Sequence, residues 1–132
     1  MPEDRQSMEA LAAQVRVALA AADLSAFSHL LDPDVRWGAP DARQPSCRNR
    51  DQVLRWYERG RESGVRASVD EVVVLGDRLL VGLRVERPSE GISPGGAEPR
   101  WQVLTVRAGK VVDIVGFDDR TEALARAEAS IL

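Results

Sequence analysis

One carboxylate, Asp113, stands in a segment that is otherwise apolar and alternates like a β-strand. Strict alternation places Asp113 on one face with Val111, Val115 and Phe117. Burial among apolar side chains makes an ionised carboxylate costly, so its pKa would rise and Asp113 could act as a general acid or base. Two alternatives stay open: this face could meet solvent near the start of the strand, or Asp113 could pair with an arginine across the sheet.

Aromatic residues could line an apolar cavity for a small molecule. Large rings supply much of the contact area of a ligand pocket, and a tyrosine hydroxyl could orient the ligand. The alternative is that the rings fill an ordinary core. The predicted pocket residues are Trp37, Trp56, Tyr57, Trp101 and Phe117.

The other reactive side chains give weaker signals. His29, the only histidine, lies off the apolar stripe of its predicted helix and is expected at the surface. Cys47, the only cysteine, lies beside Arg48 and is expected to be a packing residue. One histidine and one cysteine cannot build the usual metal sites, and the chain has no phosphate loop or dinucleotide fingerprint. We therefore expect no metal and no cofactor.

Length and charge exclude several classes of protein. The 132 residues suit one domain, spanning residues 1–132. The net charge of −3 gives no general attraction to nucleic acid or anionic lipid. No apolar run approaches the ~20 residues of a membrane span, and the polar residues 1–9 do not resemble a signal peptide. We expect a cytoplasmic protein that binds neither nucleic acid nor membranes.

Helical patterns come first along the chain. Apolar residues recur at helical spacing from about Asp4 to Ala22. Asp23 can cap a short second helix that ends before Pro33. Asn49 and Gln52 form a capping box that opens a third helix.

Strand patterns follow, and a short terminal helix ends the chain. The predicted strands are Val35–Trp37, Arg66–Leu75, Arg78–Arg87, Trp101–Arg107 and Lys110–Phe117. A loop rich in glycine and proline runs from Pro88 to Pro99, and the terminal helix has Leu124, Ala127 and Ile131 on one side. Helices in one block and strands in another predict an α+β fold, with the helices packed on one face of an antiparallel sheet.

The apolar residues on both faces of the last predicted strand also indicate a second subunit. Val112 and Ile114 point to one face, while Val115 and Phe117 point to the other. A strand that is apolar on both faces must be covered on both. Because helices would cover only one side of a small domain, we expect a homodimer formed through the sheet.

Three segments resemble SnoaL-like proteins of the nuclear transport factor 2-like superfamily. They are AADLSAF at Ala21–Phe27, LLDPDVRW at Leu30–Trp37 and VLTVRAGKVV at Val103–Val112. The similarity runs from about Met8 to Ala127 and implies a cone-shaped, curved antiparallel sheet with N-terminal helices on its concave face. The superfamily contains ketosteroid isomerases, polyketide cyclases, epoxide hydrolases, dehydratases and non-catalytic domains. Activity must therefore be argued from the site.

The catalytic positions of these relatives are mostly apolar here. The resemblance places the base of ketosteroid isomerase-like members at Ala39 and their oxyanion tyrosine at Val15. Their protonated acid falls on Trp101 or Gln102, so the polar trio is absent. The aspartate of limonene epoxide hydrolase-like members falls on Gly116.

A slip of the alignment by one or two residues would move that epoxide hydrolase position to Asp118. SnoaL-type cyclases use an acidic residue on a late strand, which implies that role for Asp113.

Two functions therefore stay open. The chain could bind an apolar small molecule without catalysis, or it could be a cofactor-independent cyclase, isomerase or hydratase that uses Asp113. Loss of the isomerase trio favours the first, and the inward carboxylate favours the second. An open cavity that reaches Asp113 would support the enzyme, whereas a cone filled by tryptophan rings would support a binding or interaction module.

Overall fold

A computed structural model describes residues 4–39, 43–44, 46–86 and 97–128. The helices are α1 (Arg5–Ala20), α2 (Leu24–Ser28), α3 (Arg50–Glu62) and α4 (Arg120–Glu128). The strands are β1 (Leu31–Gly38), β2 (Arg66–Leu75), β3 (Arg78–Glu86), β4 (Ala97–Arg107) and β5 (Lys110–Phe117). Within these ranges, no helix is both long and apolar enough to cross a membrane.

The five strands form one open sheet in the order β1-β5-β4-β3-β2. Strands β2 to β5 form an antiparallel meander, as their hairpin turns predict. Strand β1 runs parallel to β5, so the sheet is mixed and not wholly antiparallel. The predicted α+β architecture is confirmed, with helices before a meandering sheet.

Helices cover both faces of this sheet. Helices α1 to α3 pack on one face, here called the three-helix face, with a core that includes Val15, Phe27 and Leu104. Helix α4 packs on the other, the α4 face, where Ala123 and Ala127 join the core. The premise of the dimer prediction is therefore wrong, because α4 of the same chain covers the second side of β5.

A bulge in β5 changes which residues share a face. Thr105 pairs with Asp113 and Val106 pairs with Val111, so Val112 is an extra residue in the ladder. Val111 consequently belongs to the core of the three-helix face. Its predicted position beside Asp113 is wrong, although Asp113 does share its face with Val115 and Phe117.

The helix caps agree with the sequence more closely than the strand ends do. Asp23 and Asn49 accept backbone hydrogen bonds at the starts of α2 and α3. Strand β1 begins at Leu31 and includes Pro33, which an irregular edge strand tolerates because one side of its backbone needs no partner. Strand β4 begins at Ala97, four residues before the predicted start. The rest of the Pro88–Pro99 loop and Ile131 lie outside the described residues.

Candidate functional site

Three of the predicted pocket residues form an aromatic cluster on the three-helix face. The ring of Trp37 on β1 lies 4.4 Å from the ring of Trp56 and 5.1 Å from that of Tyr57, centroid to centroid. Phe27 of α2 contacts Tyr57 edge-on at 5.5 Å. These separations lie in the range of favourable aromatic pairs. The structure therefore brings Trp37, Trp56 and Tyr57 together.

Local sequence explains how the cluster is held. Trp37 exchanges two backbone hydrogen bonds of 3.0 Å with Cys47, which hold Cys47 against the end of β1. A Cβ atom at Gly116 would lie 3.8 Å from Trp37 Nε1, so the indole rests over a residue that has no side chain. Trp56 and Tyr57 are adjacent in α3 and therefore point in different directions. Tyr57 turns toward the core, whereas Trp56 is 54% exposed.

A polar pair lies at the buried side of this cluster. Gln102 of β4 is 7% exposed, and its Nε2 donates a hydrogen bond of 3.4 Å to the Tyr57 hydroxyl. Within the described part of the chain, the Gln102 carbonyl oxygen Oε1 is buried and has no hydrogen-bond partner. Burial raises the pKa of Tyr57 to about 12, against a smaller opposing effect of Gln102. The phenol therefore stays neutral across the physiological range.

Cys47 and His29 behave as structural residues. Cys47 is buried near Tyr57, and burial raises the pKa of its thiol, which disfavours the nucleophilic thiolate. His29 is exposed, and its Nδ1 lies 2.7 Å from the carbonyl oxygen of Ser25 one helical turn earlier.

Asp113 lies on the opposite face, beneath α4. It belongs to a polar row that crosses four strands: Arg78 pairs with Thr105, Thr105 with Asp113, and Asp113 with Arg36. Burial raises the pKa of Asp113, while Arg126 on α4, Arg78 and Arg36 oppose the shift in that order. The carboxylate is thus partly desolvated, as its apolar strand predicted, and it also lies among arginines, as one of the two alternatives held.

Trp101 and Phe117 also lie on the α4 face, where they pair across β4 and β5. Trp101 donates a hydrogen bond to Glu71, and Arg120 of α4 binds the same carboxylate with contacts of 2.7 and 3.3 Å. These contacts lower the pKa of Glu71, with Arg120 as the main cause. The structure therefore separates Asp113, Trp101 and Phe117 from Trp37, Trp56 and Tyr57.

Sequence reasoning missed Gln102 as a functional residue. Gln102 was considered only as one of two positions where the protonated acid of the ketosteroid isomerases would fall. A usable signal was present, because Gln102 alternates with Leu104 and Val106 and is the one polar residue on that face of the predicted strand Trp101–Arg107. A polar residue inside an apolar strand face is more informative than an apolar one.

The remaining clefts and clusters do not extend this site. A depression of about 230 Å³ lies between α1 and the β4–β5 hairpin, apart from the aromatic cluster. Its lining residues are Ser7, Met8, Ala10, Leu11, Gln14, Val106 and Gly109. Among residues 4–39, 43–44, 46–86 and 97–128, no three histidine, cysteine, aspartate or glutamate side chains converge as a metal site.

Comparison with known proteins identifies the family. The model of the SnoaL-like domain family matches residues 11–114, and the chain belongs to this family. No curated protein matches the chain.

Solved structures share the nuclear transport factor 2-like fold at low sequence identity. Bal32a from a soil-derived mobile gene cassette superposes with a TM-score of 0.70 at 18% identity, over 92% of this chain and 95% of that one. A candidate polyketide cyclase from Xanthomonas campestris pv. campestris has a TM-score of 0.69 and 19% identity over 95% and 99% of the two chains. A protein of ketosteroid isomerase-like fold from Catenulispora acidiphila DSM 44928, in complex with trimethylamine, has a TM-score of 0.64 and 16% identity over 89% and 91%.

Proposed function

We propose that the chain is a small-molecule-binding protein whose ligand lies against Trp37, Trp56 and Tyr57 on the three-helix face. One observation carries the proposal: Gln102 Oε1 is a buried acceptor without a partner, beside the Tyr57 hydroxyl and beneath aromatic rings. An orphaned buried carbonyl costs stability, and a ligand donor would offset that cost.

The aromatic rings would supply most of the affinity. Trp56 leaves 54% of its surface exposed at the edge of the cluster, where a planar ligand can reach it. Large rings contribute contact area at low entropic cost, and the polar pair would set the orientation. The trimethylamine complex of the Catenulispora relative supports the idea that this fold holds small organic molecules.

The three tryptophans allow a direct test with an internal control. Titration with 2-naphthol, followed through the indole N–H signals in a ¹H–¹⁵N NMR spectrum, should shift Trp37 and Trp56 and leave Trp101 unchanged. Trp101 serves as the control because it lies on the α4 face. Shifts confined to Trp101, or no saturable shift at all, would contradict the proposal.

A second function, acid–base catalysis by Asp113, is supported by its burial and its raised pKa. A desolvated carboxylate whose pKa is raised is a candidate for proton transfer. The substrate would have to enter under α4, away from the aromatic cluster. Carboxyl NMR titration, with Asp113→Asn as the assignment control, tests this function. A value at or below the usual 3.8 would rule it out.

The homodimer and the cytoplasmic location stay predictions from the sequence. Because α4 covers part of the expected interface, a dimer formed through the sheet would have to use the surface that α4 leaves uncovered. Arg84 and Glu86 of β3 are exposed there.

A further inference from the structure

The hydrogen-bond arrangement of the Tyr57–Gln102 pair restricts the chemistry of the ligand, provided that the proposed site is correct. Gln102 Nε2 donates to the Tyr57 oxygen, so the phenolic hydrogen is directed elsewhere. The amide oxygen of Gln102 is left as an acceptor with no partner among the described residues. The pair therefore presents one free donor and one free acceptor.

Both groups of the pair are neutral. Burial keeps Tyr57 protonated, and a glutamine carries no charge. The buried Cys47 also acts on Tyr57, and burial raises the pKa of its thiol, so it stays neutral as well. The nearest residues to Gln102 on this face of β4 are the apolar Leu104 and Arg100, whose charge is paired with Asp118.

Charged ligands fit this environment poorly. A carboxylate would bring its oxygens against Gln102 Oε1, which is itself an acceptor. An ammonium group could donate to Oε1 and contact the tryptophan faces, but burial of an unpaired cation costs more than a cation–π contact returns. The carboxylates that form ion pairs in the described chain are Glu9, Asp70, Glu71 and Asp118, none of which acts on Tyr57.

We propose that the ligand is a neutral planar molecule that carries a hydrogen-bond acceptor and a hydrogen-bond donor side by side, as in a primary aryl carboxamide. The ligand acceptor receives the Tyr57 hydroxyl, the ligand donor binds Gln102 Oε1, and the planar body stacks on Trp37 and Trp56.

Four naphthalene probes of nearly equal apolar area test this inference. They are naphthalene-2-carboxamide, 2-acetonaphthone, 2-naphthoate and 2-naphthylmethylammonium. The first offers both a donor and an acceptor, the second only an acceptor, and the last two carry opposite charges. Dissociation constants from the indole N–H shifts should favour the carboxamide by about tenfold or more over the other three, because a site built to hydrogen-bond a group rejects ligands that lack it.

Two variants separate hydrogen bonding from apolar contact. Gln102→Leu should reduce the advantage of the carboxamide over 2-acetonaphthone to about twofold, since the acceptor is gone. Gln102→Glu should shift preference toward 2-naphthylmethylammonium, because a carboxylate now pairs with the cation. These measurements are informative if each variant retains the wild-type dispersion of the Trp37 and Trp56 indole N–H signals.

The outcomes distinguish this inference from the proposed function. If all four probes shift Trp37 and Trp56 with similar affinity, the binding site stands and the donor–acceptor inference fails. The inference also fails if the carboxamide keeps its advantage in Gln102→Leu, or if the ammonium probe binds tightest to the unaltered protein. If none of the probes shifts these signals, the proposed site itself is wrong.

Discussion

Replacement of Gln102 by leucine should stabilise the protein while it weakens ligand binding. In the wild-type protein, Oε1 is buried without a partner, and an unsatisfied buried acceptor costs about 1–3 kcal/mol. The substitution also leaves the buried Tyr57 hydroxyl without its partner, but at 3.4 Å the lost bond is long, and its contribution is at most about 0.5 kcal/mol. The expected net gain is about 1 kcal/mol, or about 3–5 °C in Tm for a chain of this size.

Urea unfolding monitored by circular dichroism measures this gain. Gln14→Leu is the matched control: Gln14 is exposed on α1, and its replacement should change the free energy of unfolding by no more than about 0.5 kcal/mol. Tyr57→Phe alone should destabilise the protein, since it leaves Gln102 Nε2 without its acceptor. In the Gln102→Leu background it should stabilise, since it removes a hydroxyl that has lost its partner. A loss of stability above about 1 kcal/mol for Gln102→Leu that Tyr57→Phe does not restore would refute the reasoning, because it would mean that Oε1 is satisfied in the folded protein.

Three further predictions concern the α4 face. Gly82→Ala should destabilise by about 1–3 kcal/mol in urea unfolding, because its Cβ would lie 2.9 Å from Glu71 Cγ and 3.3 Å from Trp101 Nε1. Gly60→Ala is the control, whose nearest atom would be 3.9 Å away, and it should stabilise by about 0.5–1 kcal/mol. Asp113→Asn should stabilise the protein at neutral pH. Its raised pKa means that ionisation opposes folding, so the gain is complete above the folded-state pKa and disappears as pH falls toward 3.8; a gain that grows on acidification would contradict this. Sedimentation equilibrium should give twice the chain mass if the predicted homodimer forms, and the mass of one chain would refute it.

Local signals explain which parts of the fold could be predicted. The carboxylate of Asp23 and the amide of Asn49 bond to backbone N–H groups within the next three residues, so the helix starts follow from nearby sequence alone. The β4–β5 turn at Ala108 and Gly109 adopts positive φ angles of 52° and 77°, which its glycine indicates.

The pairing register of the strands, and therefore the sheet face on which each side chain lies, could not be predicted in the same way. The extra residue Val112 is defined only by pairing with β4, so strict alternation placed Val111 on the wrong face. The parallel pairing of β1 with β5 likewise depends on contacts between distant segments. A register shift of one residue reverses the face of each side chain beyond it.

The alternation of side chains between the two faces of a strand also divides the predicted site residues. Trp101 and Gln102 are neighbours in β4 and therefore face opposite ways, the first toward α4 and the second toward Tyr57. Both faces of β4 carry apolar residues, so the sequence does not indicate which face the N-terminal helices cover. Aromatic composition could suggest a pocket, but only the structure separates Trp37 and Trp56 from Trp101.

Intermolecular NOE measurement on the complex with naphthalene-2-carboxamide tests the central claim most directly. The account predicts contacts from the naphthyl protons to the indole rings of Trp37 and Trp56, together with a contact from the ligand amide protons to the side chain of Gln102. Contacts to Trp101 or Phe117 in place of these would put the ligand on the α4 face and contradict the account.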